Sequence, residues 1–266
     1  MISPLPPAIL HDPLFGVTLT VGAYAAAQAL HRRYQHLNPF ILTTTFLLLI
    51  LWGLSSAEGG GGGMAATIEA YKIGGDLITF LLGPAVVALA IPLYKNARHI
   101  RRHIAPILAA IAVGGITAMA TGALAVMLLN RIDGAGSKLA GGGAGGGALV
   151  LQAMIPKSVT TPIAVGLVAQ YPNLSAEALS RLQSLVAALV VVTGIFGAIV
   201  GPRFLRRIGI RRDVPMGLAL GTAAHGIGTA TALRNSELQG LAAGLAMALN
   251  GVWTSALMIP LYGLFK

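Results

Sequence analysis

The chain has 266 residues, of which 55% are hydrophobic and only 10% are charged. Soluble globular domains carry about 25% charged residues, so this composition excludes an ordinary soluble domain and indicates a membrane protein. The formal net charge of +10 arises largely from basic clusters between apolar segments, which argues against nucleic acid as a partner. The chain contains no cysteine, which excludes a disulfide framework and thiolate chemistry.

Segments without Asp, Glu, Lys or Arg that are long enough to cross about 30 Å of hydrocarbon predict the membrane helices. In chain order these segments are 13–30, 37–57, 77–94, 104–130, 182–202, 214–233 and 238–265. A further apolar region, 147–170, is divided by Pro156 and Pro162. We therefore predict an all-α polytopic membrane protein that forms a single domain over 1–266. It has about seven spans plus a re-entrant or broken helix pair at 147–170.

Three short basic loops determine the predicted orientation. They contain eleven of the 18 Lys and Arg residues: Arg32 and Arg33; Lys95, Arg98, Arg101 and Arg102; and Arg203, Arg206, Arg207, Arg211 and Arg212. The positive-inside rule places all three loops in the cytoplasm, which predicts a multi-pass protein of the inner (plasma) membrane. If 147–170 crossed the bilayer once, the third loop would lie outside. We therefore predict that 147–170 enters the membrane and returns to the outer side.

The centre of 147–170 is polar in an otherwise apolar region. Pro162 lacks a backbone donor and interrupts helical hydrogen bonding, and irregular backbone at membrane depth survives only in protein or beside a wet cavity. A buried amine there needs a partner, which an anion would supply. We predict a substrate-binding break made of Pro156, Lys157, Ser158, Thr160 and Thr161. The alternative is that Pro156 is an ordinary first-turn proline and Lys157 reaches the outer interface.

Two other predicted spans are interrupted near their middles, by Gly83 and Pro84 in 77–94 and by glycines around His225 in 214–233. Interrupted spans in separate halves of a chain indicate a transporter binding site and leave an inverted-repeat architecture open. We expect four more residues to face the polar centre: Thr222, His225, Gly226 and Asn250. Hinge positions are predicted at Gly83, Pro84, Pro162 and Gly228. Alternatively, His225 is a neutral core histidine that joins two helices, and Asn250 is a cross-helix hydrogen-bond residue.

The predicted spans contain no Asp or Glu, so a carboxylate-based cation carrier is disfavoured. A site of lysine, histidine, hydroxyls and amides suits a small anion instead. The adjacent Lys157 and Ser158 raise the alternative of a serine–lysine hydrolase. Neighbouring side chains point in different directions, however, and the sequence shows no recognisable set of oxyanion donors. We expect no enzyme activity, no metal and no cofactor.

Five blocks of this sequence resemble the LrgB/CidB family of membrane proteins, in that family's order: LLGPAVVALAIPLYKN, IPKSVTTPIA, TGIFGAIVGPRFLRRIGI, GLALGTAAHGIGTATAL and GLAMALNGVWT. The resemblance covers about 71–260. It implies a polytopic inner-membrane protein with a small holin-like partner of the LrgA/CidA type, described as an antiholin or a regulator of murein hydrolases and lysis. The plant plastidial glycolate/glycerate translocator contains a similar domain, which implies transport of glycolate, glycerate, pyruvate or a similar monocarboxylate.

The residues and the resemblance together predict a membrane transporter of small monocarboxylates that works by alternating access in the lipid bilayer. We also expect a homo-oligomer. The alternative function is a holin- or antiholin-like membrane protein that regulates murein hydrolase activity and cell lysis. That function requires no specific small-molecule site, so the polar centre of 147–170 favours transport.

Overall fold

A computed structural model describes residues 7–34, 39–57, 63–81, 101–133 and 146–265, together with the isolated residues 84, 87 and 94. The described residues form helices and no strands, which confirms the predicted all-α class. The chain divides into two compact units, Met1–Ala90 and Ile91–Lys266. Among the predicted hinges, Gly83 lies outside the described residues, and Pro84 is an exposed helical residue of the first unit.

The described residues of the first unit include the helices α1 (Pro7–Leu10), α2 (Pro13–Arg33), α3 (Pro39–Ala57) and α4 (Gly63–Phe80). α2 begins at Pro13 because the Asp12 carboxylate accepts from the Leu14 amide at 2.8 Å, and proline is well suited to the first helical position. α4 begins well before the predicted span 77–94, most of which lies outside the described residues. Glu69, Lys72 and Asp76 are therefore helical residues of α4.

The described residues of the second unit include the helices α5 (Ile104–Asp133), α6 (Gly146–Met154), α7 (Thr161–Val168), α8 (Ala176–Arg207), α9 (Asp213–Asn235) and α10 (Glu237–Leu261), followed by a 3-10 turn at Tyr262–Phe265. The predicted broken helix pair is present as α6 and α7, with non-helical residues between them. Serine caps help to define the connections, since Ser175 Oγ accepts from the Ala178 amide at 3.2 Å and Ser236 Oγ from the Gln239 amide at 3.1 Å.

α6 and α7 form a hairpin, which we call the first hairpin. α6 runs antiparallel to α5, because Gly147 lies beside Asn130 and the Met154 carbonyl lies beside Gly122. α7 runs parallel to α10, since Ile163 contacts Gly251 and the Tyr262 hydroxyl donates to the Leu167 carbonyl at 2.8 Å. α5 and α10 are themselves parallel, because Ile107 and Ile111 cluster with Ala246 and Gly115, further along α5, lies against Asn250. The first hairpin therefore enters from the end of α5 and returns to it.

α9 also folds back on itself, at Ala224 and His225, whose backbone is not helical. Gly217 and Gly221 of its first half lie against Gln239 and Ala243 of α10, which is a parallel pairing. The second half pairs in the opposite direction, since Leu233 contacts Gly240 and Thr229 Oγ1 donates to Met247 Sδ at 3.9 Å. Gly228 touches the carbonyl oxygen of Leu220. We call this folded-back α9 the second hairpin.

This second hairpin corrects the prediction that 214–233 crosses the membrane once. The described helices long and apolar enough to cross are Pro13–Arg33, Ile104–Arg131, Ala176–Arg207 and Glu237–Leu264, and α9 is not among them. Ile41–Ser56 is a shorter apolar helix. Gly228 lies against the Leu220 carbonyl, which a straight α9 would not permit because eight residues of helix rise about 12 Å.

Candidate functional site at the hairpin tips

The tip of the first hairpin is the non-helical stretch 155–160. The Val159 amide donates to the Pro156 carbonyl at 3.2 Å, and the Ala164 amide donates to the Thr160 carbonyl at 2.9 Å, which starts α7. Thr160 has extended backbone (φ −66°, ψ 148°) and precedes the first turn of α7. Pro162 lies in that turn, where its missing donor costs no helical bond. The prolines thus separate two short helices, as the sequence predicted.

The tip of the second hairpin is built differently, without a proline. His225 has φ 40° and ψ −131°, a left-handed conformation that costs a non-glycine residue on the order of 1–3 kcal/mol. The following glycines make the return possible. Gly226 lies beside Met247 Sδ, and a Cβ on Gly228 would overlap the Leu220 carbonyl oxygen. The predicted hinge role of Gly228 thus has a steric basis in the close approach of the two halves of α9.

Asn250 joins the two tips. Its side-chain amide nitrogen donates to the Ser158 carbonyl at 3.1 Å and to the Thr222 carbonyl at 3.2 Å. Both acceptors lie where a helix is interrupted, so their carbonyls lack a regular helical donor. Because carbonyl oxygens only accept, the amide nitrogen must face them, and this determines which way the side chain is turned. Asn250 is only 1% exposed, so the junction is in the core.

The other side-chain atom of Asn250, Oδ1, is buried and has no hydrogen-bond partner among the described residues. It is directed at Gly115 of α5, where an added Cβ would lie 2.6 Å from it. An unpaired buried acceptor is costly, by roughly 1–3 kcal/mol. The junction therefore offers one acceptor to a donor on a bound molecule or to water.

Lys157 lies in the first tip and is half-buried. Its ammonium nitrogen donates to the Ala118 carbonyl of α5 at 2.7 Å, and a Cβ on Gly122 would lie 2.8 Å from the same nitrogen. No carboxylate of the described chain lies within 4 Å of Lys157. Lysine has three donors, so this amine retains donors for an anion. The interface-reaching alternative is not supported, because the side chain turns onto α5.

His225 contacts α8 instead of Asn250. Its Nε2 atom lies 2.9 Å from the Val190 carbonyl, and since that oxygen can only accept, Nε2 carries the hydrogen. A Cβ on Gly194 would lie 2.7 Å from the imidazole ring. This geometry fits the helix-joining alternative that the sequence left open for His225. It leaves the role of His225 in substrate binding as a prediction.

The structure brings some predicted site residues together and separates others. Ser158, Thr222 and Asn250 meet at the junction. Lys157 abuts Gly122 while Asn250 abuts Gly115, and seven residues of α-helix rise about 10 Å. The Lys157 amine and the Asn250 side chain therefore contact different turns of α5. Of the remaining predicted residues, Pro156 is buried and Thr160 and Thr161 are half-buried beside Lys157 in the same tip.

Sequence reasoning missed the side of the site that α5 provides. Gly114 lies against Thr222, Gly115 against Asn250 and Gly122 against Lys157, while Ala118 supplies the carbonyl for the lysine. The spacing of 114, 118 and 122 places small residues on one face of α5. That spacing was the available signal, but small residues in a long apolar segment read as ordinary helix packing.

These features define an all-α membrane protein in which two opposed helical hairpins meet at a buried asparagine. A family model described as the LrgB-like family matches residues 20–264. The chain therefore belongs to the LrgB-like family, which confirms the resemblance read from the sequence.

The chain is 34% identical to the uncharacterized protein YxaC of Bacillus subtilis (strain 168), over 89% of each chain. It is 29% identical to the uncharacterized protein YwbG of the same organism, over 89% of this chain and 91% of that one. It is 27% identical to the antiholin-like protein LrgB of Bacillus cereus (strain B4264), over 94% of this chain and 95% of that one. No solved structure matches the chain.

Proposed function

We propose that the protein carries small monocarboxylates, such as glycolate, glycerate or pyruvate, across the inner membrane by alternating access. The observation that supports this most is the junction at Asn250, where the tips of two oppositely directed hairpins meet. Discontinuous helices that meet within the bilayer are how many carriers build their binding site. A helix followed by a hairpin occurs twice in opposite directions, as α5 with the first hairpin and α8 with the second, which suits an inverted repeat.

In this proposal the substrate carboxylate binds the Lys157 ammonium group, and the hydroxyls of Ser158, Thr160 and Thr161 complete the site. The lysine already spends one donor on the Ala118 carbonyl, which holds the amine beside α5 and leaves its other donors for the anion. A charge-assisted hydrogen bond of this kind contributes about 1.5–3 kcal/mol. Because Asn250 ties both tips, a shift of one hairpin is transmitted to the other.

The second candidate function is that of an antiholin-like protein that acts with a small holin-like partner on murein hydrolase activity and lysis. The names of the relatives support this role more directly than they support transport, since the antiholin-like protein LrgB of Bacillus cereus matches the chain over nearly its whole length. The relatives YxaC and YwbG carry no substrate in their names. The case for transport therefore depends on the geometry of the tips and on the resemblance to the plastidial translocator.

Reconstitution into proteoliposomes separates the two functions. A carrier should take up labelled glycolate or pyruvate with saturation, and unlabelled monocarboxylate should compete while chloride should not. Asn250→Leu should abolish this uptake, and Asn235→Leu, at an exposed asparagine of α9, should leave it intact. The transport proposal is wrong if none of the short monocarboxylates gives saturable uptake while co-expression with the holin-like partner still changes the rate of lysis.

A further inference from the structure

A cavity of about 1040 Å³ lies between α5, the first half of α9 and α10. At one end it is bordered by three basic side chains, those of His103, Arg211 and Arg212, together with Asp213. At the other end it reaches Gly114 and Thr222. Thr222 is the residue whose carbonyl binds Asn250. The cavity thus connects the basic end of the second hairpin to the junction of the two tips.

The opposite side of the junction is packed differently. The first hairpin contributes Val159, Ala164 and Leu167 to a buried apolar cluster, which also includes Met119 of α5, Met258 of α10 and residues of α8. Val159 is 1% exposed and Ala164 is fully buried. From the side where α5 ends, the junction is therefore covered by close-packed side chains. From the side where α5 begins, the cavity leads to it.

We propose that this cavity is the cytoplasmic entrance of the substrate pathway, that Arg211 and Arg212 concentrate small carboxylates at its mouth, and that the conformation described here is open to the cytoplasm. This inference rests on the proposed transport function for the identity of the anion. Arg211 and Arg212 at the mouth belong to the third basic loop, which the positive-inside rule places in the cytoplasm.

The charge at the mouth favours anions. Neither Arg211 nor Arg212 forms an ion pair within 4 Å among the described residues, so Asp213 offsets the local charge without neutralising it. A cleft with charge of one sign at its mouth and low-dielectric walls focuses the field and raises the local concentration of counter-ions. Walls that are mainly apolar with a few polar groups are usual for small-molecule sites, and here Thr222 supplies the polar group at the inner end.

Single cysteines can test the entrance cleanly, because the chain has none of its own. Ala219 and Ala223 line the cavity, and Ala164 is the matched control in the packed cluster on the other side. In inside-out vesicles, Ala219→Cys and Ala223→Cys should react with impermeant thiosulfonates and Ala164→Cys should not. At the cavity cysteines, a negatively charged thiosulfonate should react faster relative to a positively charged one, by several-fold more than it does with the small thiol 2-mercaptoethanol in solution.

Arg211→Gln together with Arg212→Gln should remove this preference for the negative reagent. The double variant Arg206→Gln with Arg207→Gln changes the same charge in the same loop without altering the cavity lining, so it should keep most of the preference. Loss of the preference in both variants equally would mean that the whole loop, and not the cavity mouth, selects the anion, and the proposal would be wrong.

The remaining outcomes distinguish this inference from the proposed function. If uptake saturates but Ala223→Cys reacts only from the outer face, the proposed cytoplasmic entrance is wrong and the proposed transport function is retained. A different outcome is that the cavity cysteines prefer the negative reagent while glycolate and pyruvate neither slow that reaction nor enter the vesicles. In that case the transport proposal is wrong and the anion-selective cavity is retained. Reaction of Ala219→Cys and Ala223→Cys in detergent but not in vesicles would show that lipid fills the cavity, which overturns the entrance.

Discussion

The side-chain amide of Asn250 binds the carbonyl of Ser158 at 3.1 Å and so fixes the middle of a long helix to the tip of a hairpin. The same nitrogen binds Thr222 in the tip of the opposed hairpin. One residue therefore supplies donors to two interruptions of the backbone, and each interruption depends on the other for its hydrogen bonding.

Replacing the amide nitrogen of Asn250 should be costly. Asn250→Asp keeps the shape of the side chain but turns an acceptor toward two carbonyl oxygens in the core. We expect the free energy of unfolding to fall by about 2–4 kcal/mol, because buried acceptors lose their donor, and uptake to be lost. Gln170→Glu, the same amide-to-acid change at an exposed position after α7, should change stability by less than about 0.5 kcal/mol. Thermal unfolding in detergent measures both, and equal effects would contradict the proposed junction.

Gly122 should tolerate no side chain. A methyl group there would lie 2.8 Å from Lys157 Nζ and 3.1 Å from the Met154 carbonyl. The lysine end can move, but the backbone carbonyl cannot, so we expect Gly122→Ala to lower stability by about 1–3 kcal/mol. Gly166 of α7 has no atom within 4 Å of an added Cβ, and Gly166→Ala should raise stability by up to about 1 kcal/mol. A stable Gly122→Ala protein would show that α5 and the first tip are less closely packed than described.

Lys157→Ala should weaken substrate binding more than it weakens the fold. Removing a half-buried cation relieves its desolvation, while the carboxylate loses a charge-assisted bond worth about 1.5–3 kcal/mol, or roughly ten- to a hundredfold in affinity. Lys157→Arg should rescue uptake only in part, since its planar fork replaces a compact ammonium group. Lys72→Ala, at an exposed position of α4, is the control. Unchanged saturation in Lys157→Ala would move the site elsewhere.

His225 has two competing roles that pH separates. A protonated imidazole that pairs with the carboxylate would make apparent affinity fall as pH rises, and His225→Asn would flatten this dependence. Because Nε2 is bound to the Val190 carbonyl, we expect the helix-joining role instead. Asparagine is common at positive φ in turns, but its shorter side chain loses the bond to the Val190 carbonyl. His225→Asn should therefore lower the unfolding temperature and leave the pH dependence of uptake unchanged. A flattened dependence would assign His225 to the substrate site.

The orientation of α8 tests whether the first hairpin re-enters. A cysteine at Ala176, at the start of α8, should react with an impermeant thiol reagent added to intact cells. A cysteine at Arg206, near its end, should react only after the membrane is permeabilised. Labelling of Ala176→Cys only from the cytoplasm would contradict a first hairpin that returns to the outer side.

The first hairpin could be predicted from sequence because Pro156 and Pro162 interrupt an apolar segment. In addition, the third basic loop lies in the cytoplasm only if this segment returns to the outer side. The glycines around His225 did predict an interruption in 214–233, but not its reversal, because this segment is long enough to cross the membrane and contains no proline near its centre. Its reversal depends on a left-handed His225 and on the contact of Gly228 with Leu220. Local propensity does not encode such contacts, and the pairing of Asn250 with both tips likewise depends on residues distant in sequence.

Position 115 has a further consequence for how such chains can vary. The space that a side chain at Gly115 would need is taken by Asn250 Oδ1, at 2.6 Å, and by the Trp253 ring, at 3.3 Å. Homologous chains should therefore change these positions together, with a larger residue at 115 accompanied by a smaller one at 250. A smaller residue at 250 would also lose the hydrogen bonds to both hairpin tips, so a single substitution at either position should be disfavoured. Homologous chains without the Gly–Asn pair should therefore hold their hairpin tips together through other residues.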